Sequence, residues 1–190
     1  MQKLTLLLLI LLAALPLAAG DLVRAVRNKI SAGDLASCQH LIEEYKNKSG
    51  VDAEYLDAVG WLARGAEMLG QSELAATSVA ELRREIKVEK DEWLSPLGAA
   101  IEVEGKLRAK QAGRKAALQF LEDEFARANN IGLRSRISKN INALALEGQA
   151  AIDFNTTMYA GAEPPKLTAL KGKPVLLFLW AHWCGDCRAR

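Results

Sequence analysis

The sequence predicts a mainly α-helical chain, a helical-hairpin array or bundle, that closes on the opening of an α/β unit. Three observations predict it. Apolar residues recur at helical spacing through most of the chain. Tyr55, Val59, Leu62, Ala66 and Leu69 form one stripe, Leu118, Leu121, Phe125 and Ala128 a second, and Leu133, Ile137, Ile141 and Leu144 a third. Between Asp21 and Gly148 there is a single proline, Pro96. After Gly148 the periodicity stops, and six apolar residues, Val175 to Trp180, run unbroken between turn signals. The composition agrees: of 190 residues, 50% are hydrophobic and 25% charged, as in folded domains rather than disordered tails or fibres. The formal charge is +2 and the basic residues are not clustered, so no nucleic-acid surface is expected.

Residues 1–20 read as an export signal. Lys3 supplies the positive n-region, Leu4 to Leu15 is apolar except for Thr5, and Pro16 breaks the segment. Ala18-Ala19-Gly20 are the small residues that a signal peptidase needs. Cleavage is expected after Gly20 or one residue earlier, placing the mature chain outside the cytoplasm, in the periplasm of a bacterium. The apolar run is shorter than the ~20 residues that span a bilayer. An uncleaved anchor or tether is the alternative.

The segment 21–148 is expected to form one helical domain, with helices near 22–32, 35–48, 53–69, 72–88, 96–110, 113–128 and 131–146. Asp52 is placed to cap the third. Ser95-Pro96 reads as an N-cap and first-turn pair for the fifth. Gly148 closes the last stripe. Gly33-Asp34-Leu35-Ala36 is echoed 39 residues later by Ser72-Glu73-Leu74-Ala75. Small-residue turns between paired helices at such a period resemble tetratricopeptide-type arrays. The resemblance implies a face for a protein or peptide partner.

Nothing in the helical segment reads as catalytic. Cys38, among Leu35, Leu41 and Ile42, is expected as a packed thiol. His40 has no ligand-spaced neighbour and is expected near the surface. Trp61 and Trp93 are expected as core anchors. Glu43-Glu44 and the charge-rich run Glu81 to Glu92 are expected to be solvated faces.

Residues 149–170 read as a linker, with Asn155-Thr156-Thr157, Gly161 and Pro164-Pro165 breaking any regular element. Leu170-Lys171-Gly172-Lys173-Pro174 is expected to turn. Val175 to Trp180 then suits a strand buried on both faces of a sheet. Ala181-His182-Trp183-Cys184-Gly185-Asp186-Cys187-Arg188 follows directly.

The stretch K-G-K-P-V-L-L-F-L-W-A-H-W-C-G-D-C-R resembles the first core strand and redox motif of thioredoxin-like proteins. It is most similar to exported thiol–disulfide reductases of the TlpA and ResA type. Gly185-Asp186 departs from the pattern, since many members carry proline before the second cysteine. The resemblance covers about 25 to 35 of the 190 residues and implies a C-x-x-C dithiol without metal or cofactor. It also implies a protein disulfide or dithiol as substrate and a membrane or periplasmic electron donor.

The chemistry follows from the spacing. Two intervening residues at a helix start let both sulfurs meet. Backbone N–H groups and the helix dipole favour an anion at the first sulfur, which lowers a thiol from ~8.5 into roughly 3.5–7.5. Cys184 is then the nucleophile and Cys187 the resolving thiol. Trp183 shields the pair and offers a flat apolar contact. Asp186 opposes the thiolate, Arg188 offsets it, and His182 favours it when protonated.

A zinc site needs four ligands, and only Cys38, His40 and His182 remain as candidates. A c-type haem needs His after the second cysteine, where Arg188 stands. A peroxiredoxin is disfavoured by the vicinal pair. A thioredoxin-like unit needs about a hundred residues, so the expectation is of a redox domain represented by its opening only, C-terminally truncated and inactive by itself. The competing reading is a non-enzymatic helical adaptor with a partial redox tail.

Overall fold

A computed structural model describes residues 20–178 and 180–183. The expected signal, apart from Gly20, lies outside the described residues. Among the described residues no helix is long and apolar enough to cross a membrane. The chain falls into two units, residues 1–145 and 146–190.

Among the described residues the regular elements of the first unit are helices: α1 (Asp21–Ser31), α2 (Leu35–Ser49), α3 (Ala53–Met68), α4 (Ser72–Glu85), α5 (Leu94–Ala112), α6 (Arg114–Arg127) and α7 (Ile131–Ala145). The expected helices are all present. Asp34 caps α2, its Oδ1 accepting from the Ser37 N–H at 3.1 Å, and Asp52 caps α3 through the Tyr55 N–H at 2.9 Å. Two ends differ from expectation. Helix α4 stops at Glu85 because Ile86 turns to extended backbone and buries its side chain in the core. Helix α5 starts at Leu94, after a 3₁₀ turn at Asp91–Trp93. Ser95 and Pro96 therefore lie inside its first turn, where a missing N–H costs nothing.

The packing is regular. Helices α1, α3, α5 and α7 form a row in which each touches the next. Helix α2 packs on α1 and α3, α4 on α3 and α5, and α6 on α5 and α7; α2 meets α4, and α4 meets α6, through the ion pairs Lys46–Glu81 and Arg83–Glu124. The turns after α1 and α3 share their bonding. Asp34 N–H reaches Lys29 O at 2.9 Å, and 37 residues on Gln71 N–H reaches Ala66 O at 2.8 Å. Gly33 and Gly70 both have positive φ there, the left-handed conformation that only glycine adopts without strain.

The same positions recur in the second helix of each hairpin. The fourth residues of α2, α4 and α6 are Cys38, Ala75 and Ala117, all fully buried. The eighth are Ile42, Val79 and Leu121, also buried. Cys38 thus occupies the small-residue position of the pattern. Its Sγ donates to Asp34 O at 3.3 Å and Val26 O at 3.5 Å, and burial pushes the thiol pKa up. Cys38→Ala should change stability by less than about 1 kcal/mol in urea melts, while Cys38→Leu should cost about 1–3 kcal/mol by overpacking. A large loss from the alanine would overturn this assignment.

Charged side chains pin the layers together, contrary to the expectation of a solvated face over Glu81 to Glu92. Glu81 accepts from Tyr55 and Lys46. Arg83 bridges Glu104 and Glu124 at 3.0 and 3.2 Å. Glu89 accepts the Asn129 and Asn130 N–H groups at 2.8–3.1 Å, capping the turn into α7. Burial raises the carboxyl pKa values of Glu67, Glu81 and Glu102, but lysine and arginine partners more than offset this. All three end below the ordinary glutamate value.

A carboxyl lowered on folding contributes stability that is present above its unfolded value, ~4.3, and lost as pH falls through the folded one. Stability should therefore hold level from pH 7 to about 5 and then fall steeply below about 4. Urea midpoints measured from pH 3 to 7 check this. A midpoint that rises on acidification would contradict it.

Candidate functional site

In the second unit, residues 146–166 are irregular and a 3₁₀ turn follows at Leu167–Leu170. Asp153 fixes the start of that turn. Its Oδ1 accepts from the Thr168 N–H at 3.2 Å and its Oδ2 from the Thr168 hydroxyl at 3.1 Å.

The expected turn before the apolar run is formed. Lys171 has φ −52° and ψ 132°, Gly172 has φ 87°, and Lys173 N–H reaches Leu170 O at 3.0 Å. This is a type II turn, whose third position requires a positive φ and hence favours glycine.

Beyond the turn the chain is extended, and among the described residues the run forms no strand and pairs with none, as expected of one apolar run without a sheet around it. Exposure alternates as in extended chain: Val175 45%, Leu176 91%, Leu177 53%, Phe178 76%. Val175 and Leu177 turn toward the 3₁₀ turn and help line a cleft of about 470 Å³ with Leu167 and Leu170. Leu176 and Phe178 stand open. One run has no ladder for its backbone groups and no opposite face for its side chains, so it cannot close into a core alone.

His182 is exposed and Trp183 is 79% exposed, at the chain position directly before the cysteine pair. The other candidates, Cys184, Asp186, Cys187 and Arg188, lie outside the described residues. Among the described residues no cluster of three His, Cys, Asp or Glu side chains suits a metal ion.

In the helical unit His40 is exposed and sits 3.4 Å from Glu44. Trp61 and Trp93 are corrected from core anchors to rim residues. Each packs on the core by one face and carries cations on its ring: Arg27 at 4.5 Å and Arg64 at 5.5 Å over Trp61, Lys90 at 4.1 Å over Trp93. Sequence reasoning missed these stacks because the partners stand on other turns or helices. Comparison with family models, curated proteins and solved structures finds no match for this chain.

Proposed function

We propose that the chain is an extracytoplasmic thiol–disulfide oxidoreductase, thioredoxin-like at its C-terminal end, that reduces or exchanges protein disulfides through Cys184 and Cys187. The observation that carries this reading is one of order along the chain. A type II turn at Gly172, an extended apolar run, and exposed His182-Trp183 lead directly into C-G-D-C. The helical unit is read as a tetratricopeptide-like array, supported by its odd-helix row and by the recurring fourth and eighth positions. The substrate is a protein disulfide, and electrons come from a membrane or periplasmic donor. The leader at residues 1–20 directs export.

The reaction balances without a cofactor. Cys184 thiolate attacks one sulfur of the substrate disulfide, forming a mixed disulfide and releasing the other sulfur as a thiolate. Cys187 then displaces the second substrate sulfur. The substrate gains two electrons and two protons, and the protein is left as the Cys184–Cys187 disulfide.

Incubating the reduced chain with glutathione disulfide and mapping the products by mass spectrometry tests the reading. The expected product is the intramolecular Cys184–Cys187 disulfide, with Cys38 untouched. Failure of the pair to oxidise to each other would favour the alternative, a non-enzymatic helical adaptor. Exposure of the apolar run at Val175 to Phe178 supports that second reading.

A further inference from the structure

Two Asn-x-Ser/Thr triplets occur in the sequence, Asn47-Lys48-Ser49 and Asn155-Thr156-Thr157, neither with proline in the middle. In an exported chain this is the acceptor pattern for N-linked sugars. The pattern needs its third residue, whose hydroxyl must stand near the asparagine carboxamide when a transferase holds the chain. All six residues are exposed, so access alone does not separate the two triplets. Their backbone settings do.

Asn47 lies in the last turn of α2, which ends at Ser49. Residues two apart on a helix do not face each other, so Ser49 meets the Asn47 carboxamide only if that turn unwinds. Unwinding gives up the bond from Gly50 N–H to Lys46 O at 2.9 Å that closes the helix. Asn155 is placed differently. Among the described residues, residues 150–165 have no regular element and no backbone–backbone hydrogen bond. Neither the Asn155 carboxamide nor the Thr157 hydroxyl has a hydrogen-bond partner there. The bonds from Thr168 to Asp153 tie the two ends of this stretch together, so the triplet rides on a closed loop that can bend without disturbing a helix. Asp153 also sets a carboxylate two residues before Asn155, a charged handle for a transferase, where Tyr45 stands before Asn47.

We propose that Asn155 is an acceptor site for an N-linked oligosaccharide and that Asn47 is not. The proposal rests on the export reading above, because the transfer takes place outside the cytoplasm. The donor is an oligosaccharide carried on a polyprenyl pyrophosphate. The Asn155 carboxamide nitrogen forms a bond to C1 of the first sugar, and the bond from C1 to the pyrophosphate oxygen breaks. Polyprenyl pyrophosphate leaves with that electron pair, one amide proton passes to a base of the transferase, and nothing is oxidised or reduced. The attached sugar then covers a stretch whose large apolar side chains, Ile152, Phe154, Met158 and Tyr159, the fold leaves exposed.

Incubating the purified full chain with a single-subunit bacterial oligosaccharyltransferase and a polyprenyl-pyrophosphate-linked oligosaccharide tests the site without requiring export. Intact-mass spectrometry should show the increment of one oligosaccharide, and peptide mapping should place it on Asn155. Asn155→Gln and Thr157→Ala should each abolish the increment, Thr157→Ser should keep it, and Asn47→Gln should leave it unchanged. All four lie at exposed positions, and an unchanged helical circular dichroism spectrum confirms that each variant is folded. No transfer to Asn155, transfer to Asn47, or transfer that survives Thr157→Ala would overturn the proposal. Co-expression of the chain with the same transferase, acting in the periplasm, separates the two readings. Modification of the purified chain but not of the cellular one upholds the site and counts against export.

Discussion

Replacing Glu81 with alanine should lower the stability of the helical unit by about 2–4 kcal/mol, far more than an ordinary surface change. Glu81 Oε1 accepts from the Tyr55 hydroxyl at 2.5 Å and from Lys46 Nζ at 2.8 Å, so one carboxylate ties α2, α3 and α4. Tyr55 is among the most buried side chains, and Lys46, which also bears on its hydroxyl, is a donor that cannot accept the hydroxyl proton. Without Glu81 the hydroxyl proton loses its acceptor in a part-buried site, and the cost is a large part of its desolvation. Lys46 matters less. It is 38% exposed and can turn its ammonium to solvent, so its ion pair is largely screened. Glu81→Gln keeps an acceptor for the hydroxyl and should lose less than half as much. Tyr55→Phe should restore about 1 kcal/mol in the alanine background, because it removes the stranded donor. Urea unfolding followed by far-UV circular dichroism measures all three. A loss within about 0.5 kcal/mol for Glu81→Ala would remove the network from the account of the fold.

The helix boundaries were legible where the signal is local. Asp34 and Asp52 announce their helices because a capping carboxylate bonds a backbone N–H three residues away, within the same stretch of sequence. The stripes at Leu62 and Leu133 were legible because burial in a helix has a fixed period. Partners 21 to 41 residues away were not. Glu81, Arg83 and Glu89 look alike in a charge-rich run, yet each holds a different pair of elements. The glycines of α3 and α5 carry a signal that reasoning from stripes passed over. Gly65 would place a Cβ 2.8 Å from Ile30, and Gly105 one 3.0 Å from Leu121. Glycine costs ~1 kcal/mol within a helix, so finding two inside well-formed stripes points to close helix approach. The repeat was read two residues out of register, since Ser72-Glu73 was matched to Gly33-Asp34 whereas the turns superpose Gly33 on Gly70. At the C-terminal end the type II turn was legible from Gly172, because φ there is a property of one residue. That the run after it stays unpaired was legible too, because a strand depends on neighbours that its own sequence does not contain.

Serine at Cys187 should trap one glutathione per chain as a stable mixed disulfide, and serine at Cys184 should trap none. The asymmetry follows if Cys184 attacks and Cys187 resolves: without the second thiol, nothing displaces the bound sulfur. A difference in alkylation rate alone is a poor test. Lowering a thiol from ~8.5 to about 6 raises its thiolate fraction at pH 7 from about 3% to about 90%, roughly thirtyfold. The same shift weakens the thiolate as a nucleophile by about tenfold at a Brønsted slope of 0.4–0.5, so the net gain is only about threefold. The pH profile separates the two effects. Alkylation of Cys184 should level off by about pH 7, whereas an ordinary thiol keeps rising toward pH 9. Cys38 supplies an internal control, being buried with its pKa raised by that burial, so it should stay unlabelled until the helices unfold. Asp186→Asn should move the Cys184 plateau to lower pH, because it removes a neighbouring anion. Mass spectrometry after timed labelling from pH 5 to 9 reads every arm. Glutathione held equally by both serine variants, or a Cys184 rate that climbs tenfold per pH unit to pH 8.5, would remove the assignment of attacking and resolving thiols.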